Sequence, residues 1–229
     1  MKYAVYFGSR AIYDDMIPAV KSLLAHSDVD KVFLLIEDPV YPHPLPSCVE
    51  AIDISGLVPK IFDPNGPNYK SNWTYIGLIR AALTKVFPDI DRILSIDCDT
   101  IVIDDISELW DIDLEGCYFA AVKEPHLSNA SHILYTNVGV TLFDLKKLRE
   151  DKKDDELIHA LDTELFWFVS QDVLNSRCVG KVKELPPMYN CCDYTVPSFQ
   201  KKIIHYAGNR YWRDYPLAKE YREMPWPRE

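Results

Sequence analysis

Several features that would direct this chain of 229 residues to particular classes of protein are missing from its sequence. No segment comes near the roughly 20 consecutive apolar residues of a membrane span. Residues 1–9 turn polar too soon for a secretory signal peptide. Lys and Arg number 25 against 35 Asp and Glu, and this net charge of -10 argues against general nucleic-acid binding, which needs a basic face. The 6 cysteines show no CxxC spacing, which argues against a zinc site or a disulfide scaffold. We therefore expect a cytoplasmic protein with reduced thiols, no nucleic-acid partner and at most peripheral membrane contact.

What the sequence does contain is a regular alternation of apolar strands and amphipathic helices. Short apolar runs at 3–7, 31–36 and 49–54 predict strands. Apolar residues recur at helical spacing over 14–25, between the first two runs, and predict a helix there. Strand, helix and strand in this order are typical of the opening of a parallel α/β sheet.

The same patterns continue along the chain. Asn72 is a plausible N-cap of a helix that runs to Phe87, where Pro88 ends it, and a strand at 92–96 follows. Further strands are predicted at 118–122, 138–143, 182–185 and 203–206, and further helices at 157–168 and from 171–175. We therefore predict an α/β fold in which helices flank a mostly parallel central sheet, with a smaller mixed C-terminal part.

The stretch RILSIDCDTIVI, residues 92–103, ends an apolar strand with two carboxylates one residue apart. Side chains two apart on an extended segment point to the same side, so Asp97 and Asp99 are expected to converge while Cys98 turns away. Open α/β sheets bind ligands at the carboxyl ends of their strands, and paired carboxylates suit a hard divalent cation. An acidic protein would need such a cation to hold a diphosphate.

Two other interpretations of the paired acids stay open at this point. The segment also fits the DxDx[TV] motif of haloacid-dehalogenase-type phosphatases, in which the first Asp is a nucleophile and the second a general acid. That motif normally lies close to the start of its domain, whereas nearly a hundred residues precede it here. Alternatively, the acids only solvate a strand end or cap the next turn.

A second polar cluster follows the last predicted strand, in HYAGNRYW at 205–212. A cation held by two carboxylates needs further ligands, and the imidazole of His205 would suit an ion such as Mn²⁺. Gly208 would let the backbone approach a phosphate closely, and Arg210 would supply positive charge to it.

Four segments together resemble glycosyltransferase family 8, the group that includes glycogenin and bacterial lipooligosaccharide galactosyltransferases. LSIDCDTIV resembles the strand and DxD element of that family, and YTNVGVTLFDLKKLRE (135–150) resembles its FNxGVxLxNLxxWR segment. SQDVLN (170–175) resembles its DQDxLN segment, and HYAGNRYW resembles its closing HxxGxxKPW motif. Arg80 lies where the family has an arginine before the metal strand.

The resemblance implies a single GT-A domain over 1–229, with a nucleotide-binding half at 1–105 and a sugar- and acceptor-binding half at 106–229. It implies an enzyme that moves glucose or galactose from a UDP-sugar to a glycan or glycolipid acceptor with retention of anomeric configuration, using Mn²⁺ or Mg²⁺. A nucleotide-sugar-binding protein without turnover is the alternative, ahead of the phosphatase.

The resemblance also implies site residues. Asp97, Asp99 and His205 would bind the cation, and Gln171 and Asp172 would act at the donor sugar. Thr100 would lie near the ribose, and Glu124 would face the acceptor. The remaining donor-binding residues would be Phe7, Gly8, Ser9 and Tyr13 near the uracil, with Arg80, Cys98, Asn137, Gly139, Gly208 and Arg210.

The sequence departs from the family pattern at two of these places. Ser170 replaces an acid that often precedes Gln171, so a front-face displacement assisted by the diphosphate leaving group is the simpler hypothesis than a covalent intermediate. The family lysine of the closing motif falls on Tyr211, unless one deleted residue puts Arg210 in its place. We also expect no basic, aromatic C-terminal extension of the kind by which some family members contact membranes.

Overall fold

A seven-stranded sheet organises the chain in a computed structural model that describes residues 1–71, 75–124, 134–192 and 201–227. Its strands are β1 (Tyr3–Phe7), β2 (Lys31–Ile36), β3 (Val49–Asp53), β4 (Arg92–Ile96), β6 (Phe119–Lys123), β7 (Thr136–Asp144) and β8 (Val182–Leu185). The strand order is β3-β2-β1-β4-β7-β6-β8. Strand β7 is antiparallel to both of its neighbours, and the other pairs are parallel. The predicted mostly parallel sheet is confirmed.

Helices cover both faces of this sheet. The α-helices are α1 (Tyr13–His26), α2 (Val58–Ile61), α3 (Leu83–Val86), α4 (Leu145–Glu150), α5 (Lys153–Thr163), α6 (Ser170–Arg177) and α7 (Pro216–Glu223). Short 3-10 helices span Arg10–Ile12, Tyr75–Ala82, Ser107–Asp111, Pro187–Tyr189 and Trp212–Asp214. On one face, α1 contributes Met16 and Leu23 to a cluster with Leu94, and the other face has its own buried cluster around Val5 and Val173. Each such fully buried side chain stabilises the fold by about 1.5–3 kcal/mol.

A small second sheet forms the mixed C-terminal part that the sequence predicted. It joins β5 (Thr100–Val102), β10 (Ile203–His205) and β9 (Cys191–Cys192), in the order β5-β10-β9. Strand β10 is antiparallel to β5 and parallel to β9. This arrangement brings three distant parts of the sequence to one place beside the end of β4.

The helix predicted from Asn72 to Phe87 takes a different form. Asn72 lies outside the described residues, and the segment Tyr75–Ala82 is a 3-10 helix that becomes an α-helix only at Leu83–Val86. Gly77 and two isoleucines within the segment have low α-helix propensity, and this accounts for the tighter form.

The helix predicted at 157–168 begins and ends earlier, at Lys153–Thr163. Its first turn is acidic, which complements the positive end of the helix dipole. Its end is determined from a distant loop, because the amide of Asn68 donates to the carbonyl oxygens of Leu161 (2.6 Å) and Glu164 (2.7 Å). These carbonyls would otherwise lack partners in the last turn.

The structure also bears on the compartment and the membrane. Within the described ranges, no helix combines the length and the apolar character that crossing a membrane requires. All six cysteines fall in these ranges, and each is a free thiol.

Candidate functional site

Three side chains that the sequence marked as metal ligands come together where β4 and β10 end. Asp97 follows β4, Asp99 lies in the turn that leads to β5, and His205 is the last residue of β10. One ligand atom from each side chain lies within 4.8 Å of the other two. His205 Nε2 is 3.3 Å from Asp99 Oδ1 and 3.7 Å from Asp97 Oδ2. The antiparallel pairing of β5 with β10 brings His205 close to the two aspartates, because His205 pairs with Thr100, the residue directly after Asp99.

Asp97 and Asp99 converge for a different reason from the strand alternation that the sequence suggested. Strand β4 ends at Ile96, and Cys98 and Asp99 form a turn. The Thr100 hydroxyl closes this turn by donating to Asp97 O at 2.7 Å. The Cys98 thiol does turn away, and it donates to Phe7 O at 3.4 Å. Burial and the two neighbouring carboxylates raise the pKa of this thiol, which keeps it protonated.

Gly139 provides the room in which the cluster forms. It lies in β7 across from the end of β4, and its carbonyl oxygen accepts from Asp97 N at 2.8 Å. A Cβ at this position would lie 2.2 Å from His205 Cε1 and 2.9 Å from Asp97 Oδ2. The site therefore requires glycine here because the backbone itself forms one wall.

The charges of the cluster compensate one another. Burial opposes protonation of His205, but the carboxylates of Asp99 and Asp97 outweigh it and raise the pKa of the imidazole. Burial would raise the pKa of Asp99, but the neighbouring His205 and Arg80 lower it. Without a cation, these shifts favour an ionised Asp99 beside a protonated His205.

Arg80 joins the cluster from the 3-10 helix Tyr75–Ala82. Its guanidinium forms a salt bridge with Asp97 and lies over the ring of Phe7, 4.7 Å from the ring centroid. It also donates to Ser95 Oγ at 3.4 Å. The Arg80 side chain is 6% exposed and the Asp97 side chain 30%, so the arginine is buried while its partner is partly open to solvent. The predicted role at a phosphate remains a proposal, whereas the pair with Asp97 is a contact that the sequence did not reveal.

The four residues predicted near the uracil lie together after β1. Gly8 N donates to Leu35 O at 3.2 Å, and Ser9 precedes the 3-10 helix that leads into α1. The Tyr13 hydroxyl donates to Asp38 Oδ2 at 3.0 Å, and burial raises the pKa of this phenol to about 12. Phe7, Gly8, Ser9 and Tyr13 therefore line the carboxyl ends of the parallel strands β1 and β2, beside the metal cluster.

Gln171 and Asp172 begin α6 at the same edge of the sheet. Gln171 Oε1 accepts from Val138 N at 3.2 Å, which ties α6 to β7 next to Gly139. Both Asp172 oxygens are hydrogen-bonded: Oδ1 accepts from the Tyr135 hydroxyl at 2.5 Å and Oδ2 from Phe168 N at 2.7 Å. The protein thus holds the Asp172 carboxylate in place from two sides.

Asn137 is buried behind the cluster and binds protein groups at both ends of its amide. Its nitrogen donates to Glu124 Oε2 at 3.1 Å, and its oxygen accepts from Gly139 N and from Asn190 Nδ2, both at 2.9 Å. Asn190 in turn contacts His205 Nδ1 at 2.7 Å. The sequence analysis missed Asn190; its only signal was its place directly before Cys191-Cys192, the strand that pairs with β10.

Gly208 and Arg210 lie in the exposed loop that follows His205. Gly208 has φ of +73°, a left-handed conformation that favours glycine. Arg210 is exposed, and its role at a phosphate stays a prediction.

The donor set fits a divalent cation. Two carboxylates and one imidazole provide hard oxygen ligands and one nitrogen, and their spacing lets a single ion contact all three. An imidazole nitrogen is a ligand that transition-metal ions accept more readily than Mg²⁺, which prefers oxygen and retains its waters. Gly139 keeps the place between them clear of side-chain atoms.

Residues 43–215 match the sequence profile of the family described as Glycosyl transferase family 8. The chain is 30% identical over 171 residues to lipopolysaccharide 1,2-glucosyltransferase of Escherichia coli K12, covering 60% of this chain and 51% of that protein. It is 30% identical over 154 residues to general stress protein A of Bacillus subtilis, covering 60% and 53%. The chain thus spans about half the length of these relatives.

Solved structures show the same fold. Galactosyltransferase LgtC, in complex with donor and acceptor sugar analogs, superposes with a TM-score of 0.71 at 18% identity, covering 96% of this chain and 95% of that one. The apo bifunctional glycosyltransferase WbbM gives a TM-score of 0.76 at 19% identity, covering 98% and 50%. At these identities the likeness shows the fold alone, and that fold is GT-A.

Proposed function

The chain belongs to glycosyltransferase family 8, and we propose that it transfers glucose or galactose from a UDP-sugar to a glycan or glycolipid acceptor with retention of configuration. The observation that carries this proposal is the convergence of Asp97, Asp99 and His205 at the ligand-binding edge of the sheet. The names of the relatives agree with it, since one is a lipopolysaccharide glucosyltransferase and another a galactosyltransferase.

Asp97, Asp99 and His205 would hold a Mn²⁺ or Mg²⁺ ion, which would supply positive charge to the donor diphosphate. When bound, the cation supplies Lewis-acid stabilisation of the charge that develops on the leaving diphosphate. Arg80 neutralises Asp97 on the side away from His205, which lowers the cost of holding two carboxylates together. Gly208 and Arg210, in the loop after His205, would contact the phosphates from the open side.

The uridine would lie along the ends of β1 and β4. Phe7, Gly8, Ser9 and Tyr13 would contact the uracil, and Thr100 would lie near the ribose. Cys98 would contribute through its backbone, because its thiol points to Phe7 O. This placement follows the general rule that open α/β sheets bind nucleotides at the carboxyl ends of their strands.

The donor sugar would extend toward Gln171, Asp172, Asn137 and Gly139. Asp172 accepts two hydrogen bonds from the protein, which hold it for positioning and reduce its strength as a nucleophile. With Ser170 in place of an acid, the simplest route is attack by the acceptor on the face that the diphosphate leaves. A glycosyl adduct trapped on Asp172 or Glu124 would refute this route.

We place the protein in the cytoplasm, because six free thiols are typical of a reducing compartment. The two alternatives from the sequence receive no support. In a DxD phosphatase the first acid would be available as a nucleophile, whereas Asp97 is paired with Arg80 and lies beside His205.

Thermal unfolding with UDP, UDP-glucose, UDP-galactose and UDP-N-acetylhexosamines, with and without Mn²⁺, tests the proposal without an acceptor. A ligand at 100 times its Kd stabilises the folded state by about 2.7 kcal/mol. We expect a Mn²⁺-dependent shift with UDP and a larger one with the true donor. Asp97→Asn should abolish the shift. Asp111→Asn is the matched control, because this acid is exposed and far from the candidate site. It lies in the 3-10 helix Ser107–Asp111, which contacts the amino end of β1.

The outcomes separate the hypotheses. If none of these nucleotides shifts the unfolding temperature, with or without Mn²⁺, the proposed function is refuted. A shift that Asp97→Asn leaves intact would refute the metal site while retaining nucleotide binding. A shift with one UDP-sugar, followed by release of UDP when acceptor glycans are added, would establish turnover and exclude a protein that only binds the donor.

A further inference from the structure

A chain of four buried polar side chains runs behind the candidate metal cluster and ends on one of its ligands. Glu124 Oε2 is 3.1 Å from Asn137 Nδ2, and Asn137 Oδ1 is 2.9 Å from Asn190 Nδ2. Asn190 Oδ1 is 2.7 Å from His205 Nδ1. All four residues are at most 8% exposed. Because buried polar groups are hydrogen-bonded, the donors and acceptors along this chain determine one another.

A backbone amide determines how the side-chain amides in this hydrogen-bonded series are oriented. Gly139 N lies 2.9 Å from one end of the Asn137 side-chain amide. A backbone N–H can only donate, so the Asn137 atom that faces it is the oxygen. The nitrogen of Asn137 therefore points to Glu124, whose carboxylate accepts. Both ends of Asn137 give the same orientation independently.

The orientation passes from Asn137 to the metal ligand. Asn137 Oδ1 can only accept, so the Asn190 group that faces it is the NH₂, and Asn190 presents its oxygen to His205. That oxygen also only accepts, so His205 Nδ1 carries the hydrogen. We infer that Asn190 is a positioning residue that keeps the hydrogen of His205 on Nδ1, so that Nε2 is the nitrogen that gives up its proton and offers a lone pair when a cation binds. The inference rests on the proposed function, because it assumes that a cation binds there.

The geometry at the other end of the ring agrees with this assignment. His205 Nε2 points to Asp99 Oδ1 and Asp97 Oδ2, at 3.3 and 3.7 Å. The opposite tautomer would place a hydrogen on Nε2, between the imidazole and the cation. It would also leave Asn190 Oδ1 without a donor from His205 in a buried place. Asn190 thus serves both the orientation of the ring and the choice of the nitrogen that binds.

Asn190 is suited to this role because the small sheet holds it in place. It directly precedes β9, and the parallel pairing of β9 with β10 sets Cys192 opposite His205. The Asn190 side-chain nitrogen also has a backbone contact, because Nδ2 is 3.5 Å from Asn137 O. Outer groups that orient a metal-binding histidine in this way contribute 10- to 100-fold to metal affinity.

Two substitutions of Asn190 test the inference, because they rank in opposite orders if the residue acts by its oxygen or by its bulk. Asn190→Leu keeps the size and removes the acceptor. Asn190→Asp keeps an acceptor for His205 Nδ1, and as a carboxyl that burial keeps protonated it also keeps a donor for Asn137 Oδ1. We expect Asn190→Leu to weaken Mn²⁺ binding by about 10- to 100-fold and Asn190→Asp to retain it within about 3-fold. A residue that only fills space would instead tolerate Leu and be disturbed by Asp.

The measurement is the Kd of Mn²⁺ alone, taken from the electron paramagnetic resonance signal of the free ion, without nucleotide or acceptor. Far-UV circular dichroism and thermal unfolding verify that each variant is folded. If Asn190→Leu does not fold, the inference still stands or falls on Asn190→Asp: a 10-fold or larger loss of Mn²⁺ affinity there would overturn it.

A second readout observes the tautomer directly. In protein labelled with ¹⁵N-histidine, with Zn²⁺ as a diamagnetic probe, long-range ¹H–¹⁵N spectra should show His205 protonated at Nδ1 and bound through Nε2. Binding through Nδ1, or equal Mn²⁺ affinity in wild type and Asn190→Leu, would overturn the inference while leaving the metal site. Wild-type protein that binds neither ion would overturn the metal site and with it the inference, which is a distinguishable result.

Discussion

Replacing Gly139 with alanine tests whether the backbone of β7 forms a wall of the metal site. The added Cβ would lie 2.2 Å from His205 Cε1 and 2.8 Å from His205 Nδ1. Nonbonded carbon atoms are in optimal contact at about 3.5–4.0 Å, so the imidazole or β7 must move by about 1 Å or more. His205 has little freedom to comply, because it is buried and its Nδ1 is hydrogen-bonded to Asn190.

The size of the effect follows from this geometry. Insertion of a methyl group into a well-packed place costs about 1–3 kcal/mol, and Gly139→Ala should lower the free energy of unfolding by that amount. Turnover should fall more steeply than stability does. A misplacement of about 1 Å in a catalytic group reduces turnover by about 100-fold. Asp97 is affected as well, because the Cβ would lie 2.9 Å from its Oδ2.

Urea unfolding and Mn²⁺ titration of Gly139→Ala check both expectations, beside Gly56→Ala as a matched control. A Cβ at Gly56 would meet no atom within 4 Å, so the same chemical change is made there without a clash. We expect the control to bind Mn²⁺ as wild type does. If Gly139→Ala bound Mn²⁺ with wild-type affinity and unfolded within about 0.5 kcal/mol of wild type, the assignment of this wall would be wrong.

Three other outcomes are expected. Arg80→Met leaves the Asp97 carboxylate without its cationic partner and should lower the free energy of unfolding by about 3 kcal/mol. Added Mn²⁺ should recover part of that loss. If it recovers none, the result counts against a cation at this carboxylate. Burial opposes the charge of Asp154, but hydrogen bonds from Thr84 and Lys85 outweigh it and lower the pKa of this carboxyl group. The ionised carboxylate therefore stabilises the fold above about pH 4, and this contribution is lost as the pH falls through the lowered pKa. Thr84→Val should therefore move the midpoint of acid unfolding, followed by circular dichroism, to higher pH, and an unchanged midpoint would contradict the assigned cause. Addition of EDTA to protein saturated with Mn²⁺ and UDP should return its Tm to that of the protein alone, and a retained shift would show that UDP binds without the cation.

The first part of the fold was predictable because its signals are local. The strand at 3–7 and the strand at 31–36 have the predicted bounds, and the helix between them differs by one residue at each end. In the helix the helical spacing of the apolar residues carries the prediction, whereas the two strands are indicated by short apolar runs rich in branched and aromatic residues. The order of such elements also predicted the α/β class and the mostly parallel sheet.

The predictions that failed depended on distant contacts. The helix that ends at Thr163 is stopped by the amide of Asn68, about a hundred residues away in the sequence. The convergence of Asp97 and Asp99 was expected from strand alternation, but a turn produces it. For the helix, a hydrogen bond from elsewhere selects the end. The turn is closed locally by the Thr100 hydroxyl, beside the distant contact of Asp97 N with Gly139 O.

The candidate site divides in the same way. By its motifs, the sequence alone determined the candidate ligands: two acids after a strand, and a histidine followed by glycine and a basic residue. The tertiary structure alone decided that β9 and β10 bring Asn190 to His205 and that Arg80 pairs with Asp97. The physical reason is that the identity of a ligand is a property of one residue, whereas its orientation and charge depend on groups that only the folded chain brings within hydrogen-bonding distance.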